Sequence, residues 1–208
     1  MRSFSRRIGK SLSNLQQSLI AEELPKFLLN DKNPLSRSSD YNSVIIEVGI
    51  GMAEHFTNQV AQNPDSLFIG IEPYLNGIAN CLKLTKELDI KNFALWPDDA
   101  DMVLSNFHES SIQKFYLLFP DPWPKTKQKK RRFASHDRLN LIHKLLAKDG
   151  YFIFASDISD YASEVEDLCN EIGFKKISDS PHLGYLKTKF HAKAELAGRN
   201  PIFMTFQK

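Results

Sequence analysis

Five short apolar runs separated by stretches of helical periodicity constrain this chain more than any other feature. The runs are "SVIIEV" (43–48), "LFIGI" (67–71), "NFALW" (92–96), "KFYLLF" (114–119) and "GYFIFAS" (150–156), and "PIFMTFQK" (201–208) reads as a terminal strand. Between them lie the helix-like stretches "AEHFTNQVAQN", "YLNGIANCLKLTKEL", a short "DADMVLSNF", "HDRLNLIHKLLAKDG" with its glycine as a stop signal, and "SDYASEVEDLCNEIGF" ending at Gly173. Strand and helix alternating at this period predict an α/β fold with a mainly parallel sheet covered on both faces. Ligands of such sheets gather beyond the carboxyl ends of the strands.

At 208 residues the chain suits one well-buried domain. The polar, turn-rich "NDKNPLSRSSD" (30–40) reads as a linker, so the expected organisation is a basic N-terminal arm over residues 1–35 and a single domain over 36–208. No apolar run approaches the ~20 residues that span a bilayer, and the N-terminus has no apolar signal core, which points to the cytoplasm. Cys81 and Cys169 match no metal spacing and no disulfide framework, and the histidines show no metal spacing either, so no metal is expected. The net charge of +2 is small, yet it is unevenly spread. Arg2, Arg6, Arg7 and Lys10 face no acid in the first 21 residues, and six of the eight residues from Lys125 to Arg132 are basic. Two such blocks suggest a surface for phosphates, while a tail plus a solvated loop is the plainer reading.

Each expected strand end carries acids or glycines. In "EVGIGMAE" (47–54), Gly49 and Gly51 permit a tight turn with close backbone approach, but Glu54 replaces the third glycine of a dinucleotide fingerprint. Glu47 places a carboxylate at the cleft floor, which suits a cationic or amine-bearing ligand. Glu72, about 20 residues past the glycines, has the spacing of a ribose-gripping acid. Asp98 or Asp99 could reach an adenine amine, or cap a helix. Together these describe a pocket for a nucleoside without a phosphate tail, of which S-adenosylmethionine is an example.

The fourth strand runs into "FPDPWPKTKQKKRRF" (119–133). Phe119, Asp121 and Trp123 each precede a proline and are therefore expected in extended geometry, holding Asp121 on a stiff segment. An ionised aspartate only accepts hydrogen bonds, so it could meet N1–H and the exocyclic amine of guanine, or the amine of adenine. Trp123 stacks on a base or fills the core, with the core expected.

Five stretches resemble the bacterial tRNA (guanine-N7)-methyltransferase family: "RSFSRRIGKSLSNLQQ", "IIEVGIGMAEHF", "FIGIEP", "FYLLFPDPWPKTKQKKRRF" and "FASDISDYASEV", with "TKFHAKAELAG" a weaker sixth. The resemblance implies a Rossmann-like class I methyltransferase fold with a seven-stranded sheet, S-adenosylmethionine as cofactor, and a guanosine of the tRNA variable loop as target. By position, Glu47, Glu72, Asp99 and Asp121 match cofactor-contacting acids beside Gly49 and Gly51, and Asp121 matches the proposed catalytic residue. Lys125, Asp157, Thr188 and His191 fall where the family meets its RNA substrate, and Lys127, Lys129, Lys130, Arg131 and Arg132 supply positive charge for tRNA. Ala53 stands where a third glycine is usual, at an expected cost of one methyl group. His191 replaces a usual glutamate and cannot serve as an anionic acceptor. Two alternatives remain: an enzyme methylating the amine of adenine, and an RNA-binding protein without activity. The chain does not distinguish monomer from homodimer.

Overall fold

A computed structural model describes residues 11–208; Arg2, Arg6, Arg7 and Lys10 of the expected basic arm lie outside the described residues. The fold is the Rossmann-like one expected, a seven-stranded, mainly parallel sheet with covering helices. Two compact units divide the chain, one ending at Phe107 and the other running from His108 to Lys208.

In the first unit, β1 (Ser43–Val48), β2 (Ser66–Ile71) and β3 (Phe93–Trp96) pair in parallel with β2 in the middle. Five of the six residues of both β1 and β2 are buried, the pattern of strands covered on both faces. Helices α3 (Glu54–Gln62) and α4 (Leu75–Glu87) supply the crossovers. Phe56 of α3 meets Phe68 and Phe93 edge-on at 6.1 and 6.5 Å. Gly70 makes room for it, because a Cβ there would lie 3.0 Å from Phe56 Cζ.

Among the described residues, two α-helices precede the sheet. The first, α1 (Asn14–Glu22), opens with a capping box in which Gln16 N–H donates to Ser13 Oγ and Ser13 N–H to Gln16 Oε1, and it packs on α4. After α2 (Leu24–Phe27), Leu29 N–H donates to Leu95 O at 2.9 Å and Phe27 stacks on Phe93 at 4.2 Å. Arg37, within the stretch read as a linker, donates to the carbonyls of Phe93 and Lys91, both at 2.8 Å. The expected short helix after β3 is instead two 3-10 turns, Ala100–Met102 and Leu104–Asn106.

The second unit orders its strands β4 (Ile112–Leu118), β5 (Leu146–Ser156), β7 (Ile202–Gln207) and β6 (Lys175–Ser178). Parallel pairing holds for β4 and β5, while β7 runs antiparallel to both neighbours. Helices α5 (His136–Leu145) and α6 (Ser159–Ile172) pack on each other and on β5, and α7 (Lys189–Leu196) precedes β7. Gly173 ends α6 with φ 102°, as its place in the sequence predicts. Gly150 differs from expectation: α5 stops at Leu145, and Gly150 sits in a bulged start of β5, where a Cβ would lie 3.0 Å from Ala147 O and 3.1 Å from Ile112 O. Its smallness serves that close approach and not a helix end.

Phe152 is the centre of an aromatic cluster, with ring centroids 6.2, 6.3, 5.9 and 6.0 Å from Phe115, Phe154, Phe174 and Phe206. It is fully buried. Phe152→Ala should lower unfolding free energy by ~3–5 kcal/mol in urea titration, and a loss under ~1 kcal/mol would remove the cluster from the stability of this unit.

Candidate active-site residues

In the first unit the chain leaves β1 through three left-handed residues, Gly49 (φ 79°), Gly51 (φ 56°) and Ala53 (φ 64°), before α3 begins. Two are glycines and adopt this geometry without strain. Ala53 is buried and not a glycine, so its cost is backbone strain of about 1–2 kcal/mol rather than the crowding of one methyl. Three hydrogen bonds hold the turn: Gly49 N–H to Ile71 O at 2.8 Å, Gly51 N–H to Glu72 Oε2 at 2.8 Å, and Ala53 N–H to Ile50 O at 2.8 Å.

Glu72 is 7% exposed and works in two directions. Besides Gly51, its other oxygen accepts from Tyr74 N–H at 2.9 Å, so the carboxylate ties the glycine turn to the end of β2. Each carboxylate oxygen can accept more than one hydrogen bond, which leaves the ribose role chemically open. Glu47, 3% exposed, lies 2.8 Å from Nδ1 of buried His55. An ionised carboxylate only accepts, so Nδ1–H is the donor wherever Glu47 is charged. Asp99 acts as an N-cap: its Oδ1 accepts from Asp101 N–H at 3.1 Å, and Asp98 Oδ1 accepts from Asp99 N–H at 2.8 Å.

Helix α4 presses on the same turn. A Cβ on Gly77 would lie 2.0 Å from Gly51 O, and Asn80 donates to Met52 O at 2.7 Å. Neither Gly77 nor His55 stands out in the sequence: an "NG" inside a helical pattern is the available signal for Gly77, and "H" one place after Glu54 carries none for His55.

In the second unit, Phe119 N–H donates to Ala155 O at 2.8 Å and so extends the β4–β5 ladder by one residue. The next residues depart from expectation. Phe119 (φ 51°) and Trp123 (φ 41°) are left-handed, not extended, and bracket Asp121 two residues away on each side. Bulky residues held there cost of order 1–3 kcal/mol each, and such strain concentrates at functional sites. Asp121 itself is exposed. Trp123 is half-buried and lies outside the core, with the Arg131 guanidinium 5.0 Å over its ring.

The basic block forms a 3-10 turn over Thr126–Arg131. Lys125, Lys127 and Lys130 are exposed, and Lys129 pairs with Asp160 at 2.8 Å. Arg132 is the exception to the expected phosphate-facing row. It is 2% exposed, donates to Pro122 O at 2.9 Å, pairs with Asp160 at 2.7 Å and with Glu164, and lies 4.6 Å over the Tyr161 ring. Burial lowers its pKa, but the two carboxylates outweigh that and hold it above the usual value. Lys129 first, then Arg132, holds the Asp160 carboxyl below its usual range.

Thr188 caps α7, its Oγ1 accepting from His191 N–H at 3.1 Å. The His191 ring faces two oxygens, Tyr185 Oη at 3.0 Å from Nδ1 and Glu195 Oε1 at 3.0 Å from Nε2. Its centroid is 6.1 Å from that of Phe119, so the structure brings Thr188 and His191 up to the start of the Asp121 loop. Asp157 accepts from Arg199 Nε at 2.6 Å.

The family model Methyltransf_4 ("Putative methyltransferase") matches residues 41–204. A bifunctional methyltransferase of Rickettsia felis is 44% identical across 99% of this chain, which spans only 40% of that protein's length. The tRNA (guanine-N(7)-)-methyltransferase of Agrobacterium fabrum is 35% identical, with 98% of this chain and 93% of the relative covered. Among solved structures, an antibiotic-related methyltransferase superposes with a TM-score of 0.59 at 17% identity, covering 85% of this chain and 93% of its own, a likeness of fold. The chain belongs to the Methyltransf_4 family and to the family of the tRNA (guanine-N(7)-)-methyltransferases.

Proposed function

We propose that this chain transfers a methyl group from S-adenosylmethionine to N7 of a guanosine in the tRNA variable loop, in the cytoplasm. The observation that carries the reading is the use of acids at the strand ends of the first unit. Glu47 is buried beside the glycine turn, and Glu72 is fixed to that turn through Gly51 N–H. This donor and acceptor set fits a ligand bearing an amine, a sulfonium and ribose hydroxyls, and it disfavours a pyrophosphate. Relatives named for the guanine-N7 activity point the same way. Among the described residues no helix is long and apolar enough to cross a membrane.

When bound, S-adenosylmethionine supplies an electrophilic methyl on a sulfonium. Guanine N7 offers an in-plane lone pair and carries no proton, so the chain needs no general base. Its task is alignment and charge stabilisation. Asp121 accepts from N1–H and the exocyclic amine of guanine and offsets the positive charge that develops on the purine. Glu47 and Glu72 hold the cofactor, with Asp99 at its adenine end. Lys125, Asp157, Thr188 and His191 orient the substrate. Lys127, Lys130 and Arg131, with Lys129, hold phosphates, and the N-terminal arm of residues 1–35 adds to them.

Incubation with unmodified tRNA and labelled cofactor, followed by nucleoside analysis, should give 7-methylguanosine. Asp121→Ala should lower kcat at least about a hundredfold with tRNA affinity within a few-fold of wild type. Methylated adenine in the product, or equal losses of rate and affinity, would overturn this assignment. Replacing Lys127, Lys130 and Arg131 by Gln should make the log–log salt dependence of tRNA binding shallower by about 2, and an unchanged slope takes the block off the RNA. Gly77→Ala drives a methyl into Gly51 O and should weaken cofactor binding in calorimetry at least about tenfold with tRNA binding retained. Wild-type affinity there would show that the turn yields without consequence.

A further inference from the structure

Arg132 stands apart from the rest of the basic block, and its partners say what it does. Its guanidinium is 2% exposed, whereas the side chains of Asp160 and Glu164 that it pairs with are 56% and 39% exposed. The carboxylates at the start of α6 thus reach inward to a buried cation. The remaining nitrogen, Nε, donates to Pro122 O at 2.9 Å. A planar fork is thereby shared among three acceptors, two on α6 and one on the loop, with the Tyr161 ring 4.6 Å below it.

The acceptor on the loop is the carbonyl one residue beyond Asp121. Few torsions separate that oxygen from the Asp121 Cα. Anchoring the carbonyl sets ψ of Pro122, the ring sets its φ, and the following proline narrows ψ of Asp121. On either side, Phe119 and Trp123 are held in left-handed geometry that the chain would not adopt unaided. Some interaction must overdetermine this segment, and the Arg132 bond to Pro122 O is one that reaches its centre. Lys129, bonded to the other oxygen of Asp160 at 2.8 Å, braces the same acceptor from the solvent side.

We infer that Arg132 is a positioning residue: clamped by Asp160 and Glu164, it fixes the Pro122 carbonyl and through it the direction in which Asp121 points. It does not bind tRNA. The inference rests on the proposed role of Asp121 in methyl transfer.

Lysine keeps the charge but cannot serve three divergent acceptors, so Arg132→Lys isolates the geometry. Tyr161→Phe is the control. It removes the Tyr161 Oη that accepts from Ala134 N–H at 3.0 Å at the same junction, but keeps the ring under the guanidinium. With unmodified tRNA and S-adenosylmethionine, Arg132→Lys should lower kcat about ten- to a hundredfold. Its Kd values for tRNA and cofactor and its salt slope should match wild type, while Tyr161→Phe should lower Tm and keep kcat. Three results overturn the inference: wild-type kcat in Arg132→Lys, a shallower salt slope in that variant, or matching kcat losses in both variants at equal loss of Tm. Should Arg132→Lys not fold, Glu164→Gln decides, with a several-fold fall in kcat expected and a wild-type kcat fatal. A wild-type protein that makes no 7-methylguanosine overturns the reaction and this inference together. One that makes it, with Arg132→Lys equally fast, overturns only the role of Arg132.

Discussion

The first unit depends on a single carboxylate accepting from two loops. Parallel strands end side by side, and each must hand its chain to a helix on a different path. At the end of β1 this is done with left-handed residues at positions 49, 51 and 53, a run that no regular ladder can stabilise. Glu72 supplies what is missing by accepting from Gly51 N–H and, two residues after itself, from Tyr74 N–H. The start of α3, the approach of Gly77 to Gly51 O and the Asn80 bond to Met52 O all follow from that geometry. The acid proposed to grip the ribose is therefore also a structural one, because the glycine turn is hydrogen-bonded to it.

The second unit reaches stiffness with opposite charge. There a buried cation collects acceptors, two from α6 and one from the loop backbone. In both units a buried charge is compensated by fixed partners from separate segments, which is the condition for burying one without a large penalty. Buried Glu47 likewise has a fixed partner from another segment, His55 Nδ1 at 2.8 Å.

How much of this was legible follows from which signals are local. β1 matches its apolar run at both ends, and Glu47 and Glu72 stand out because acids at strand ends are a pattern within a few residues. β6 has no apolar run to announce it, because "KKIS" is mostly polar and partly exposed. The apolar face of α7 is likewise too weak to predict a helix, with Ala194 its one buried residue. The sequence alone groups Arg132 with its basic neighbours, because a charge run does not say which member turns inward. That choice is made by Asp160 and Glu164, some thirty residues away. The left-handed Phe119 and Trp123 defeat a local rule about residues before proline, and the place where the rule fails is the loop assigned to chemistry.

The polar character that hid β6 has its own meaning. It is the last strand of its unit, bonded to β7 on one side, so its other backbone edge is open to any passing strand among the described residues. Its four residues include Lys175 and Lys176, and Lys176 is tethered to Glu166 and Asp179, both at 2.8 Å. A short, lysine-bearing border with a register shift is a poor template for extending the sheet. The sequence that looks least like a strand also makes that edge unfavourable for pairing with a further strand.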